Sequence, residues 1–254
     1  MIHIVLPAYD EERALPALLD ALDSALGRAS LEYRVVVVDD GSTDSTAALA
    51  AAWGETHPLD LLRHPRNRGL GAAMGTGLAH VARRAGDDDW VVALDADGTH
   101  GPEFLPALVA EGTRQGWDLV IASRFAPGGR EVGVAAYRWL LSRGASAALR
   151  LAFRLPPGVR DVSTGFKAYR GSLLRRLASR WGERLIEEQG FACMAELLVK
   201  AAALGASIGE VPMVLRYDLK AGPSKMRTIP TVRAYLRLLR RRREFAAREP
   251  ASPR

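Results

Sequence analysis

The feature that most limits what this chain can fold into is a rhythm. Through its first half, short apolar runs alternate with stretches of helical spacing, and several runs end in a polar cluster. Ile2–Leu6 is the first run. Glu11–Leu26 follows, with leucines at 15, 18, 19, 22 and 26, a spacing that predicts a helix. Tyr33–Val38 is β-branched and ends in Asp39-Asp40-Gly41-Ser42. Asp44–Trp53 reads as an alanine-rich helix, Leu59–Leu62 as a brief strand, and Gly69–Ala85 as a helix of small residues. Trp90–Leu94 is another strand, ending at Asp95; Pro102–Gln115 reads as helix and Asp118–Ala122 as strand. Strands alternating with helices imply parallel βαβ units. The expected fold is α/β, with a mostly parallel central sheet and helices on both faces.

In such sheets ligands bind beyond the carboxyl ends of the strands. The polar clusters Pro7–Glu11, Asp39–Ser42 and Asp95–His100 fall there. After Ser123 the rhythm changes. Val132–Phe153 is a long helical stretch, Asp161–Tyr169 a loop and strand, Glu187–Leu204 helical, and Ser207–Tyr217 strand-like. Lys220–Lys225 is a loop and Ile229–Arg243 a final basic helix. The expected organisation is one domain over 1–222, an appended basic amphipathic helix over 223–246, and a disordered tail over 247–254.

The chain has 254 residues, a formal net charge of +6 and one cysteine, Cys193. The single thiol excludes an internal disulfide framework and a cysteine-rich metal site. The charge suits an anionic partner, such as phosphorylated substrates or an anionic membrane; it equally suits arginines spent on solvated faces. Met1–Pro7 reads as a strand rather than a signal peptide. No apolar run reaches the roughly 18–20 residues of a membrane span. A cytoplasmic protein is expected, peripheral at the inner face of the membrane if it binds one.

Four clusters carry the chemistry. Asp95-Ala96-Asp97 places two carboxylates just beyond a buried strand, where they suit a hard divalent cation; solvated turn acids are the plain alternative. Such a cation would bridge the phosphates of a nucleotide sugar and neutralise the departing diphosphate. Asp39 and Asp40 suit a ribose or base edge, while Ser42 or Thr43 suits a helix cap. Asn67-Arg68-Gly69-Leu70-Gly71 opens a helix, suited either to an anion or to close helix packing. Arg124 and Arg130 flank Pro127-Gly128-Gly129 and suit a phosphate clamp or a solvated loop.

Taken together, these residues resemble family 2 glycosyltransferases of the GT-A fold, in the dolichol-phosphate mannosyltransferase and polyprenyl-phosphate sugar transferase branch. Pro7-Ala8-Tyr9-Asp10-Glu11, Val38-Asp39-Asp40-Gly41-Ser42, Asn67–Gly71, Asp95-Ala96-Asp97 and Ser123–Gly129 match its motifs in order. Ser142-Arg143-Gly144-Ala145, Asp161–Tyr169 and Gly222-Pro223-Ser224-Lys225 follow. The resemblance implies that Pro7, Tyr9, Glu11 and Asp40 hold the nucleoside, with Asp39 nearby. Asp95, Ala96 and Asp97 would meet the diphosphate, and Asp95, Asp97 and Thr99 a Mg or Mn ion. Asp97, Arg124 and Arg130 would be the catalytic set, Ser142 and Arg143 would help place the acceptor phosphate, and Lys225 would sit in a closing loop.

The implied reaction is inverting transfer of a hexose from a GDP-mannose or UDP-glucose type donor to a polyprenyl or dolichyl phosphate. A hydroxyl acceptor is the alternative; it would need a carboxylate base, with Glu187, Glu188 and Glu196 in the region. A non-catalytic nucleotide-sugar or RNA-binding module is a third reading. A basic tail without interleaved aromatics gives nucleic acid little support. Three departures from the family stand out: Thr99 replaces a glutamine, Leu219 an arginine, and Cys193-Met194 a Phe-Gln pair. In the last helix Ile229, Val232, Leu236 and Leu239 recur beside Arg233, Arg237 and Arg240–Arg243. That pattern fits an anionic bilayer or packing on its own domain.

Overall fold

The computed structural model describes residues 1–219 and 228–245. A seven-stranded sheet forms the centre. Its strands are β1 (Ile2–Ala8), β2 (Tyr33–Asp39), β3 (Leu59–Arg63), β4 (Trp90–Ala93), β5 (Leu119–Ser123), β7 (Lys167–Arg170) and β8 (Ile208–Pro212). They lie in the order β3-β2-β1-β4-β7-β5-β8, and β7 runs antiparallel to both its neighbours. β6 (Arg130–Val132) and β9 (Val214–Arg216) form a separate parallel pair.

The helices are α1 (Leu15–Arg28), α2 (Thr46–Gly54), α3 (Leu70–Ala82), α4 (Leu105–Gln115), α5 (Ala136–Ala152), α6 (Gly171–Trp181), α7 (Ala192–Ala203) and α8 (Thr228–Arg240). Two apolar clusters cover the two faces of the sheet, and the period of two sends neighbouring residues to opposite sides. Val36, Val38, Val5 and Val91 join α3, α6 and α7. Val35, Val37, Ile4 and Val92 join α1, α2 and α4. The expected layered α/β architecture is therefore present.

Four local expectations change. Val132 belongs to β6, not to a helix, because Arg130–Val132 pairs with Val214–Arg216. Ser207–Tyr217 divides between β8 in the main sheet and β9 in the ribbon. Gly171–Trp181 is an additional helix, with Leu173, Leu174 and Leu177 buried and arginines between them. The cap before α2 is Ser45 rather than Ser42 or Thr43, and it makes no side-chain cap bond; the Asp44 carboxylate accepts the Thr46 backbone N–H at 3.0 Å instead. The tail over 247–254 and the loop over 220–225 lie outside the described residues.

α8 packs through Ala234 and Leu238, and Leu238 and Phe245 enter the first apolar cluster. Ion pairs Arg237–Glu188 and Arg241–Glu187 fix it against the segment before α7. Yet Ile229, Val232 and Leu236 stay exposed. One apolar stripe of α8 thus packs on the domain and another faces outward.

Gly71 shows why α3 must open with small residues. Its N–H donates to Gln189 O at 2.7 Å, and a Cβ there would overlap the Glu188 carbonyl oxygen. Close approach to the loop at Glu188 and Gln189 is the use the fold makes of Gly71.

Candidate active site

A cavity of about 890 Å³ opens at the carboxyl ends of β1, β2, β4 and β5. Pro7, Tyr9, Glu11 and Asp40 line one side, Asp95, Ala96, Asp97 and Thr99 its floor, and Arg124 the far wall. The predicted site residues therefore converge, with named exceptions. Asp39 is fully buried outside the lining and is engaged by Ser42 N–H and Arg63. Arg130 is exposed on β6 and is not part of the lining. Arg143 stacks on Phe125 and Trp139 instead of facing the cavity. Lys225 lies outside the described residues.

Asp40 holds the loop ahead of α3. Its oxygens accept the N–H groups of Arg68 at 3.0 Å and Gly69 at 2.7 Å, and meet His64 Nδ1 at 2.6 Å. That loop would otherwise leave two donors unsatisfied next to the cavity.

The turn after β4 is built from its own side chains. Asp97 Oδ1 accepts the Thr99 N–H at 3.1 Å and the Thr99 hydroxyl at 2.6 Å. Thr99, where the family carries glutamine, thus orients Asp97. Gly98 takes a positive φ of 77°, which the turn requires. His100 is buried behind the turn; burial pushes its imidazole down to about 4, so it is neutral near pH 7. Its Nδ1 accepts the Asp95 backbone N–H at 3.3 Å. The β6–β9 ribbon closes over the turn, where Arg216 N–H donates to Thr99 O at 3.1 Å.

These donors are hard oxygens, suited to Mg or Mn. A Cβ on Gly165 would stand 3.0 Å from Asp95 Oδ1, so glycine there leaves that carboxylate its room. Among the described residues no three His, Cys, Asp or Glu side chains gather into a metal set. Two carboxylates fit a cation that completes its shell with diphosphate oxygens and water, as Mg does.

Arg124 anchors the opposite wall. Its Nε and Nη2 bond Asp161 at 2.7 and 2.8 Å, and Nη1 bonds Glu131 at 2.7 Å. Nη2 also reaches Ser163 at 2.8 Å and Ser142 at 3.2 Å. Burial opposes the guanidinium's charge, but the two acids hold it ionised. Burial opposes the Asp161 charge as well, and Arg124 overcomes it, so that carboxyl titrates below its usual range. Arg138 on α5 lines the same wall and donates to Tyr217 Oη at 2.6 Å.

Arg138, Glu131 and Tyr217 were not singled out from the sequence. Arg138 and Ser142 stand four apart on one helix, a spacing that puts both on one face. Glu131 and Tyr217 arrive through the β6–β9 ribbon, which the sequence pattern did not reveal.

The three acids considered as bases lie elsewhere. Glu196 is fully buried and accepts the Glu187 and Glu188 N–H groups at 2.9 Å, with Lys200 at 2.8 Å. Glu187 and Glu188 pair with Arg241 and Arg237, and none of the three lines the cavity. Cys193 and Met194 are buried in the core rather than at an acceptor site.

The glycosyl transferase family 2 model matches residues 3–178. The chain is 32% identical over 225 residues to polyprenol monophosphomannose synthase of Mycolicibacterium smegmatis, covering 88% of this chain and 80% of that one. It is 34% identical to undecaprenyl-phosphate mannosyltransferase of Micrococcus luteus, covering 87% and 86%. It is 31% identical to dolichol-phosphate mannosyltransferase of Pyrococcus furiosus over 93% of this chain, which spans only 62% of that longer relative. In architecture it resembles glucosyl-3-phosphoglycerate synthase of Mycobacterium tuberculosis, solved with Mn2+, UDP and phosphoglyceric acid. The TM-score is 0.65 at 25% identity, covering 99% of this chain and 80% of that one. The fold and the site define a GT-A glycosyltransferase. The chain belongs to glycosyl transferase family 2.

Breaking a buried ion pair leaves an uncompensated charge and costs about 3–5 kcal/mol. Asp161→Ala is expected to destabilise the protein by that order, read as a lower urea midpoint. An unchanged midpoint would show that Asp161 does not anchor Arg124.

Proposed function

We propose that this glycosyltransferase moves a hexose, with inversion, from a nucleotide-diphosphate sugar to a polyprenyl phosphate. The observation that carries the reading is one cavity joining Asp95 and Asp97 to Arg124, Arg138 and Ser142. The first pair suits a metal-bound diphosphate and the second group an acceptor phosphate. The relatives named for polyprenyl-phosphate mannose transfer support the acceptor class.

Asp95 and Asp97 would hold a Mg or Mn ion, with Thr99 fixing Asp97. That cation would supply Lewis-acid neutralisation of the leaving diphosphate. Pro7, Tyr9, Glu11 and Asp40 would border the nucleoside. Arg124, preset by Asp161, and Arg138 would hold the acceptor phosphate opposite the anomeric carbon. An ionised phosphate oxygen attacks without a strong base, and none of the three acids considered earlier reaches the cavity. Asp39 and Arg130 fall outside this ligand set.

We also infer that the enzyme sits on an anionic bilayer. No helix among the described residues is long and apolar enough to cross a membrane. α5, however, turns an apolar stripe outward while Leu149 packs in the core. Tyr137, Leu140, Leu141, Gly144, Ala147, Ala148 and Leu151 form an exposed stripe at helical spacing, with Leu151 82% exposed. Arg138 and Ser142 face the cavity from the same helix. Arg143, Arg150 and Arg154 are exposed near the stripe, and α8 adds Ile229, Val232 and Leu236. Apolar surface edged by arginines suits anionic lipid.

Incubation with metal, labelled donor and polyprenyl phosphate is expected to put label into the lipid extract. Asp97→Ala is expected to remove it while the circular dichroism spectrum stays native. Full transfer by Asp97→Ala would refute the metal role, and label only in hydroxyl acceptors would refute the lipid phosphate. Burying a leucine contributes about 1.5–3 kcal/mol. Leu140→Asp with Leu151→Asp should therefore cut partitioning onto phosphatidylglycerol vesicles at least tenfold; equal partitioning would contradict the docking face.

A further inference from the structure

Glu131 is the wall residue that the proposed reaction leaves without a task. Oε1 accepts Arg124 Nη1 at 2.7 Å, whereas Oε2 is buried with no hydrogen-bond partner. The side chain is only 6% exposed, yet it lines the cavity. A buried carboxyl oxygen without a partner is costly and calls for a ligand or a proton. A phosphate seated on Arg124 lies against Glu131, because the same guanidinium holds both. Two anionic oxygens cannot sit together there unless one proton lies between them.

We propose that Glu131 takes the acceptor phosphate's proton as the glycosyl bond forms. The inference rests on the lipid-phosphate reading above and deepens it. The acceptor enters as a hydrogen phosphate whose P–OH donates to Glu131 Oε2. An unprotonated phosphate oxygen attacks the anomeric carbon, forming the new C–O bond. The bond from that carbon to the donor diphosphate breaks, and the diphosphate leaves with the electron pair. The acceptor has become a phosphodiester, a far stronger acid, and its proton passes to Glu131. Charge and atoms balance without any other reactant.

The surroundings favour a proton on this carboxyl once the acceptor releases one. Burial raises Glu131 above the usual carboxyl range and Asp161 adds to this, while Arg124 and Arg143 oppose it. Arg138 and Tyr217 line the same wall, and the neighbouring His100 is neutral. Opposite Glu131 on the ribbon stands the apolar Leu215. A phosphate monoester loses its second proton near pH 6, so below that pH the acceptor brings a proton to Glu131.

Glu131→Gln keeps an oxygen for Arg124 and removes only the proton acceptor. General-base assistance contributes about 10²–10⁴ in rate. At pH 6, where the acceptor still carries a proton, Glu131→Gln is expected to lower kcat/KM for polyprenyl phosphate about 100-fold. At pH 8.5 the acceptor arrives as the dianion, and the loss should shrink below about threefold because no base is required. Donor KM should not move, and a native thermal midpoint would confirm folding. A loss of equal size at both pH values, or none at either, would overturn the proposal. Wild-type enzyme inert toward polyprenyl phosphate at every pH would instead remove the acceptor reading itself, and this role with it.

Discussion

The turns that frame the cavity are held by acidic side chains accepting backbone N–H groups. Asp10 takes the Thr43 N–H, Asp39 that of Ser42, and Asp40 those of Arg68 and Gly69. Asp97 takes the Thr99 N–H, and Asp161 those of Arg124 and Thr164. Irregular backbone beyond the strand ends has donors that no ladder can satisfy. Carboxylates answer that need, and the same residues give the cavity its shape. The site is therefore preorganised before any ligand arrives, the condition for electrostatic catalysis.

Some of these acids are sealed in the protein and others line the cavity. Asp39, Asp161 and Glu196 are fully buried and committed to protein donors. Asp95 and Asp97 line the cavity floor, and Gly165 keeps space beside Asp95. Asp161 fixes the plane of Arg124, which also lines the cavity. Arginines on one wall and two carboxylates on the floor are the arrangement that the proposed transfer between two phosphate compounds would use.

Much of this was legible in the sequence. Alternating β-branched runs and leucine spacing gave the sheet and its two helical layers, because a buried parallel sheet leaves a periodicity that one chain carries visibly. The carboxylate pair after β4 was weak by itself; its place beyond a buried strand, in order with the other motifs, is what singled it out. What stayed hidden depended on contacts between distant segments. β6 is three residues long and pairs with β9 across more than eighty positions, so no local pattern marks it. Glu131 and Tyr217 reach the cavity only through that ribbon. Asp39 and Arg130 looked like ligands because side-chain direction at a strand end cannot be read from spacing. α6 had a readable signal in Leu173, Leu174 and Leu177, masked by the arginines around it.

The proposed transfer requires a divalent ion held by the turn after β4 together with a diphosphate. Electron paramagnetic resonance of Mn2+ in the presence of UDP or GDP measures this directly. The expected result is one bound ion per chain that requires the nucleotide and vanishes in the Asp95→Asn, Asp97→Asn double variant. Mn2+ binding that is unchanged in that variant, or absent from the parent with either nucleotide, would contradict the central claim.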